Sequence, residues 1–157
     1  MTKLLMVCMG NVCRSPMAQI VTTRLVQQAG MARELDVDSA GTHAGRVGEP
    51  PDPRAKAALS ARGYAVGKSR SRKIGEQDFE RYDLILAMDQ ANLNDLRRIC
   101  PNEHTHKLRL FLEFANSLEA REIPDPYYGN AQGFERVLDM CEAAGRGLVA
   151  YLRSVPR

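Results

Sequence analysis

Two hydrophobic patterns alternate along the chain. Short continuous apolar runs, Leu4-Leu5-Met6-Val7 and Leu84-Ile85-Leu86-Ala87-Met88, are bounded by turn-forming or polar residues and predict strands buried on both faces of a parallel sheet. Elsewhere apolar residues recur at helical spacing. Met17, Ile20, Val21 and Leu25 share one face of a helix expected from Pro16 to near Ala29, with Gly30 as its stop signal. Leu93, Leu96 and Ile99 mark a second helix, capped by Asp89 and ending near Cys100-Pro101. The longest stripe, Phe134, Val137, Leu138, Cys141, Leu148, Val149 and Leu152, predicts a helix from Gly133 to near Arg153 with Cys141 in the core. Smaller elements fill the gaps. Leu35 to Ser39 alternates as a short strand, Lys107 to Leu110 forms a fourth, and Phe111, Leu112 and Phe114 continue into a turn or short helix. Asp52-Pro53 caps and opens a helix to near Arg62, ended by Gly63, and a brief helix covers Gly75 to Arg81. Gly41 to Pro51 is rich in glycine and proline. As a loop at the carboxyl end of a strand, it is expected to wall a pocket.

The chemistry concentrates where the first strand meets the first helix, at Cys8-Met9-Gly10-Asn11-Val12-Cys13-Arg14-Ser15-Pro16. Ser15 is expected as N-cap and Pro16 at the first helical position, where its missing N–H costs nothing. The loop then lies at the positive end of a helix dipole. Gly10 enters left-handed backbone freely and Asn11 tolerates it, so the chain can curl its amides toward one tetrahedral anion. Cys8 stands at the strand end and Arg14 at the helix start. A thiol held there beside a guanidinium has its thiolate stabilised, which makes Cys8 an anionic nucleophile. Arg14 offers a planar fork for two phosphoryl oxygens, and Ser15 a hydroxyl for the sulfur. The Gly-Lys-Ser/Thr of the Walker phosphate loop is missing here.

The chain's 157 residues and 17.5 kDa suit one domain, 1–157, with 44% hydrophobic and 26% charged residues. Met1-Thr2-Lys3 leads straight into the first strand, and no apolar run approaches the ~20 residues that span a bilayer. A cytoplasmic location without membrane insertion is expected. The four cysteines then read as free thiols without zinc-site spacing. A net charge of +3 is too small to argue for nucleic acid, and the Arg70, Arg72, Lys73 cluster is expected to be a solvated or substrate-steering surface.

The loop nonapeptide, Asp38-Ser39-Ala40-Gly41-Thr42, Pro51-Asp52-Pro53-Arg54-Ala55 and Asp125-Pro126-Tyr127-Tyr128-Gly129 together resemble the successive signatures of the low-molecular-weight protein tyrosine phosphatases, from about Lys3 to Arg153. The resemblance implies a three-layer α/β/α fold with a four-stranded parallel sheet in order 2-1-3-4 and the phosphate-binding loop after strand 1. It implies hydrolysis of phosphotyrosine in proteins through a phosphocysteine on Cys8, with no cofactor and no metal. Arg14 and the loop Met9, Gly10, Asn11, Val12, Cys13 and Ser15 would hold the phosphate, and Ser39 would support the loop. Partners would be a phosphotyrosine protein substrate and a tyrosine kinase, the chain itself being a monomer or weak dimer. On the residues alone Asp125 is equally a turn residue. The resemblance makes it the general acid, and Tyr127 and Tyr128 the walls of the pocket and phosphorylation targets. On the residues alone Cys13 reads first as an apolar filler at the helix start; the resemblance brings a resolving thiol level with that reading, and a Cys8–Cys13 bridge that switches activity off is expected.

Two departures stand out. Gly45-Arg46 replaces an aromatic residue that relatives use against the substrate ring, so either recognition of the ring is looser or Arg46 reaches an acidic flank, with His43 as a surface residue. Ser69 replaces a histidine that supports the loop in relatives. Thiol-dependent arsenate reduction is the rival chemistry on this fold, but residues 84–106 hold only Cys100 where that reaction needs a cysteine pair. A non-catalytic phosphate-binding module is the third reading, disfavoured by the presence of Cys8, Arg14 and Asp125 together.

Overall fold

The computed structural model describes residues 1–43, 45, 47–127 and 129–155. Four strands form one parallel sheet in the order β2-β1-β3-β4, the order expected: β1 is Thr2–Cys8, β2 Leu35–Gly41, β3 Leu84–Ala87 and β4 Leu108–Leu110. β1 is central, pairing Cys8 with Gly41 on one side and Val7 with Ala87 on the other. Its side chains alternate between two cores. Leu4, Met6 and Cys8 join the larger one with helices α1 (Arg14–Gln28) and α5 (Ala131–Ser154), whereas Leu5 and Val7 face Phe79, Tyr82, Leu93 and Leu96. Both faces are therefore covered, which is why the run Leu4 to Val7 is continuously apolar. Each of these side chains is fully buried, and such burial is worth roughly 1.5–3 kcal/mol per residue.

The helices follow the predicted stripes. All seven residues of the long stripe are buried on α5, Cys141 among them. Asp52 caps α2 (Pro53–Ala61) by accepting from the Arg54 amide, and Gly63 takes the left-handed conformation after it at φ 82°. Asp89 caps α4 (Gln90–Ile99), and α3 (Glu76–Arg81) precedes β3. One expectation is corrected. α1 begins at Arg14, with Cys13 as an N-cap that makes no side-chain capping bond, so Ser15 and Pro16 lie inside the first turn. First-turn amides have no intrahelical acceptor, so Pro16 is tolerated there as well as at the first position, and the Ser15 hydroxyl is engaged elsewhere. The basic cluster is also corrected in part. Arg70 and Lys73 are exposed, but Arg72 is paired with Asp78 at 3.0 Å and Asp38 at 3.4 Å.

α5 packs on α1 and on the short 3₁₀ turn Phe111–Phe114, and two glycines set these approaches. A Cβ at Gly147 would lie 1.7 Å from the Phe114 carbonyl oxygen, whereas one at Gly145 would meet the end of Leu25 at 2.7 Å. Alanine favours a helix over glycine by about 1 kcal/mol, but a backbone overlap of this depth outweighs that gain. Gly147→Ala is therefore expected to destabilise the fold by about 3 kcal/mol, lowering Tm by ~6–12 °C in a thermal melt. Gly145→Ala, which meets the side-chain ends of Leu25 and Thr22 rather than a backbone oxygen, should cost less.

Candidate active site

The loop after β1 closes around a cavity of about 270 Å³ lined by Cys8, Met9, Gly10, Val12, Cys13, Arg14, Asp125 and Tyr127. Three neighbours tie the loop's carbonyls outward: Thr42 N–H donates to Cys8 O at 2.9 Å, His43 N–H to Met9 O at 3.0 Å, and Asp52 N–H to Val12 O at 2.7 Å. With those carbonyls committed outward, the Asn11 amide turns inward to donate to Cys8 Sγ at 3.2 Å. Gly41 allows the close approach, since a Cβ there would sit 2.6 Å from Met9 O and 3.2 Å from Asn11 N.

Asn11 organises the loop's interior. It is the only non-glycine residue with positive φ among the described residues, at 58°, and is almost fully buried. Its Nδ2 donates to Ser15 Oγ at 2.8 Å and Ser39 Oγ at 3.0 Å, its Oδ1 accepts from Arg72 N–H at 2.9 Å, and its own amide donates to Cys8 Sγ at 3.2 Å. Because Ser15 Oγ accepts from Asn11, its own proton is free for Cys8 Sγ at 3.0 Å, a better partner than Ala40 O at 3.4 Å. Ser39 in turn donates to Gln19 Oε1 at 2.7 Å. Gln19, on α1, thus supplies the acceptor beyond Ser39. Ser69, half-buried, uses its backbone carbonyl to accept from Arg70.

Arg14 is only 4% exposed, and its Nη1 is held by Asp89 Oδ2 at 2.6 Å and Ile123 O at 2.9 Å. Nη2 lies 3.8 Å from Asp125 Oδ2 across the cavity. Asp125 reaches over the loop from an irregular segment, half-exposed, with Oδ1 accepting from Tyr127 N–H at 3.0 Å. Cys13 is buried at the start of α1, and burial, reinforced by Asp52, pushes its thiol up to about 12. Met9 and Tyr127 are exposed at the rim.

The structure thus brings Cys8, Arg14, Asp125 and the loop residues to one cavity with Ser15 and Ser39 behind it. Tyr128 and Arg46 lie outside the described residues. The loop 41–51 walls a pocket as expected: among the described residues, Gly45, Glu49, Pro50 and Pro51 line a hollow of about 620 Å³ that adjoins the cavity and shares Gly10, Val12 and Tyr127 with it. Four contributors escaped the sequence reading. Asp89 showed only its capping signal, Arg72 only its charge, Gly41 only its place in a motif and Gln19 nothing at all.

The Asn11 geometry separates strain from bonding. Asn11→Gly keeps the left-handed backbone but loses three side-chain bonds, and Asn11→Ala loses both. Alanine should therefore be less stable than glycine at this position by about 1–2 kcal/mol in urea denaturation, with both variants below wild type.

The family model for low molecular weight phosphotyrosine protein phosphatase matches residues 3–155. The low molecular weight protein-tyrosine-phosphatase of Streptomyces coelicolor is 41% identical over 150 residues, covering 94% of this chain and 91% of that one. The crystal structure of a protein tyrosine phosphatase from Entamoeba histolytica superposes with a TM-score of 0.94 at 38% identity, covering 98% of this chain and 97% of that chain. A low molecular weight phosphotyrosine phosphatase structure from Vibrio cholerae gives a TM-score of 0.92 at 39% identity, with 98% of each chain covered. With its four-stranded parallel sheet, its loop around Cys8 and a family match over nearly its whole length, the chain belongs to the low molecular weight protein tyrosine phosphatases, a family of enzymes.

Proposed function

We propose that the chain hydrolyses phosphotyrosine in proteins by two in-line displacements through a phosphocysteine on Cys8. The observation that carries this reading is the placement of Cys8 Sγ, the Arg14 guanidinium and the Asp125 carboxyl on one small cavity, with Ser15 Oγ 3.0 Å from the sulfur. The thiolate attacks phosphorus, the S–P bond forms and the P–O bond to the tyrosine oxygen breaks. Asp125, entering as the acid, gives that oxygen its proton. Water then attacks the phosphocysteine, Asp125 takes the proton from it, and the S–P bond breaks to release phosphate and the thiolate. The Ser15 hydroxyl stabilises the sulfur as it leaves. Arg14 has Nη1 committed to Asp89 and Ile123, so its Nε and Nη2 edge is the fork that meets two equatorial oxygens, with the loop amides around the rest.

Asn11 and Ser39 hold the loop's shape, and Met9, Gly10, Val12 and Tyr127 shape the cavity around the ring of the substrate. A protein-tyrosine kinase is the class of enzyme that must supply this substrate. Cys13 acts as the resolving thiol. After a peroxide oxidises Cys8 to a sulfenic acid, condensation with the Cys13 S–H releases water and forms a Cys8–Cys13 disulfide that removes the nucleophile.

Phosphate release from a phosphotyrosine peptide tests the assignment, with phosphoserine peptide and chelator as controls. Wild type is expected to act on phosphotyrosine alone. Asp125→Ala should fall by about 10²–10⁴-fold and Cys8→Ser should be inactive. Equal activity of Cys8→Ser and wild type overturns the mechanism. Thiol-coupled reduction of arsenate by a chain inert toward phosphotyrosine would replace it.

A further inference from the structure

Asp125 sits in an irregular segment between Ile123 and the α5 cap at Asn130, so something outside the segment must fix where its carboxyl points. The near end is tied at Ile123, whose N–H donates to Met88 O at 2.8 Å and whose carbonyl accepts from Arg14 at 2.9 Å. Beyond that, Asp125 Oδ1 accepts from Tyr127 N–H at 3.0 Å, so the carboxyl's direction depends on Tyr127. The ring of Tyr127 meets the guanidinium of Arg54, whose Cζ lies 5.4 Å from its centroid and 4.9 Å from that of the buried Phe134.

Arg54 is itself fixed. Its Nε and Nη2 bind the two oxygens of Asp52 at 3.1 and 3.0 Å, an arrangement that holds the Asp52 carboxyl below the usual carboxylate range. The Asp52 amide is the one that donates to Val12 O of the anion loop. The contacts form a closed circuit: the loop at Val12, then Asp52, Arg54, Tyr127 and Asp125, whose Oδ2 returns to within 3.8 Å of Arg14. Arg54 does not line the cavity, so it acts through others. A planar guanidinium is the side chain that can grip a carboxylate at two points and lie against aromatic rings at once, which a lysine ammonium cannot do.

We propose, on the phosphatase reading above, that Arg54 is the positioning residue for the general acid, registering the Asp125 segment to the anion loop through the ring of Tyr127. Its loss leaves the loop and Cys8 in place but lets the acid drift from the leaving oxygen. Reactions that need the proton most then suffer most.

The test measures kcat/KM for wild type, Arg54→Leu and Arg54→Lys on aryl phosphates ranging from nitrophenyl phosphate, a good leaving group, to phenyl phosphate, a poor one. Arg54→Leu is expected to lose about tenfold on phenyl phosphate and less than about threefold on nitrophenyl phosphate. The same substitution in an Asp125→Ala background should cost nothing further, because the acid it positions is gone. Arg54→Lys should recover only part of the loss. In the free protein, hydrogen exchange at the Tyr127 amide should quicken about threefold or more in Arg54→Leu, provided circular dichroism shows the variant folded. If Arg54→Leu does not fold, Arg54→Lys carries both measurements. A uniform loss across the series, an undiminished loss in the Asp125→Ala background, or unchanged Tyr127 exchange overturns the positioning role while the phosphatase reading stands. A wild type inert toward every aryl phosphate overturns both.

Discussion

The site depends on a buried amide side chain in a left-handed backbone. Asn11 adopts a conformation that costs an ordinary residue roughly 1–2 kcal/mol, and it is nearly inaccessible to water. A buried amide left unpaired would add about 1–3 kcal/mol for each unsatisfied group. The structure satisfies both Nδ2 protons and Oδ1 with Ser15, Ser39 and the Arg72 amide, so the strain is held by three bonds from three different segments. Those segments are the first turn of α1, the end of β2 and the stretch before α3. Each must be in register for the loop to close, and Gly41 must lack a side chain for the stretch beside it to come near enough. The loop's shape is thus a property of the whole carboxyl edge of the sheet.

A buried cation imposes the second constraint. Arg14 carries its charge at 4% exposure, and burying an ion costs several kcal/mol unless it is paired and fully hydrogen-bonded. Asp89 answers this while its other oxygen caps α4, accepting from Asn92 N–H at 2.8 Å. One carboxylate therefore starts a helix and anchors the guanidinium. The pairing spends Nη1 and leaves Nη2 facing Asp125 at 3.8 Å across the cavity, so the cation is held in one orientation. Such preorganisation is what makes a fixed charge effective in a site from which water is partly excluded.

The fold was legible because period and punctuation agreed. Leu4 to Val7 is apolar without a break since α1 and α5 cover one face and α3 and α4 the other. The caps at Asp52 and Asp89 and the stop at Gly63 acted where local chemistry placed them. The start of α1 was displaced by two residues because the capping rule assumes that the first amides seek a side chain, whereas here Cys13 makes no capping bond and the Ser15 hydroxyl turns to the sulfur. Within the site, the loop residues that touch the cavity were found from local spacing, whereas Asp125 and Tyr127 were picked out by the family resemblance. Those behind it were not. Gln19 meets Ser39 across 20 positions, and Asp89 meets Arg14 across 75. A glutamine on a helix or an aspartate at a cap has nothing in its neighbourhood to mark it, and only the topology brings these pairs together.

The two thiols of the loop divide along the same line between what is near in sequence and what is near in space. Cys8 ends a strand, with Ser15 Oγ and the Asn11 amide directed at its sulfur. Cys13, five residues on, is buried as the N-cap of α1, and burial, Asp52 and Cys8 together raise its thiol from an ordinary 9.0 to about 12. A folded-state value above the unfolded one means that the stabilisation is complete below about pH 9 and is lost as pH rises through 12, so the fold favours a neutral Cys13 throughout the physiological range. A neutral Cys13 adds no negative charge at the positive end of α1, beside the cavity that it and Cys8 line.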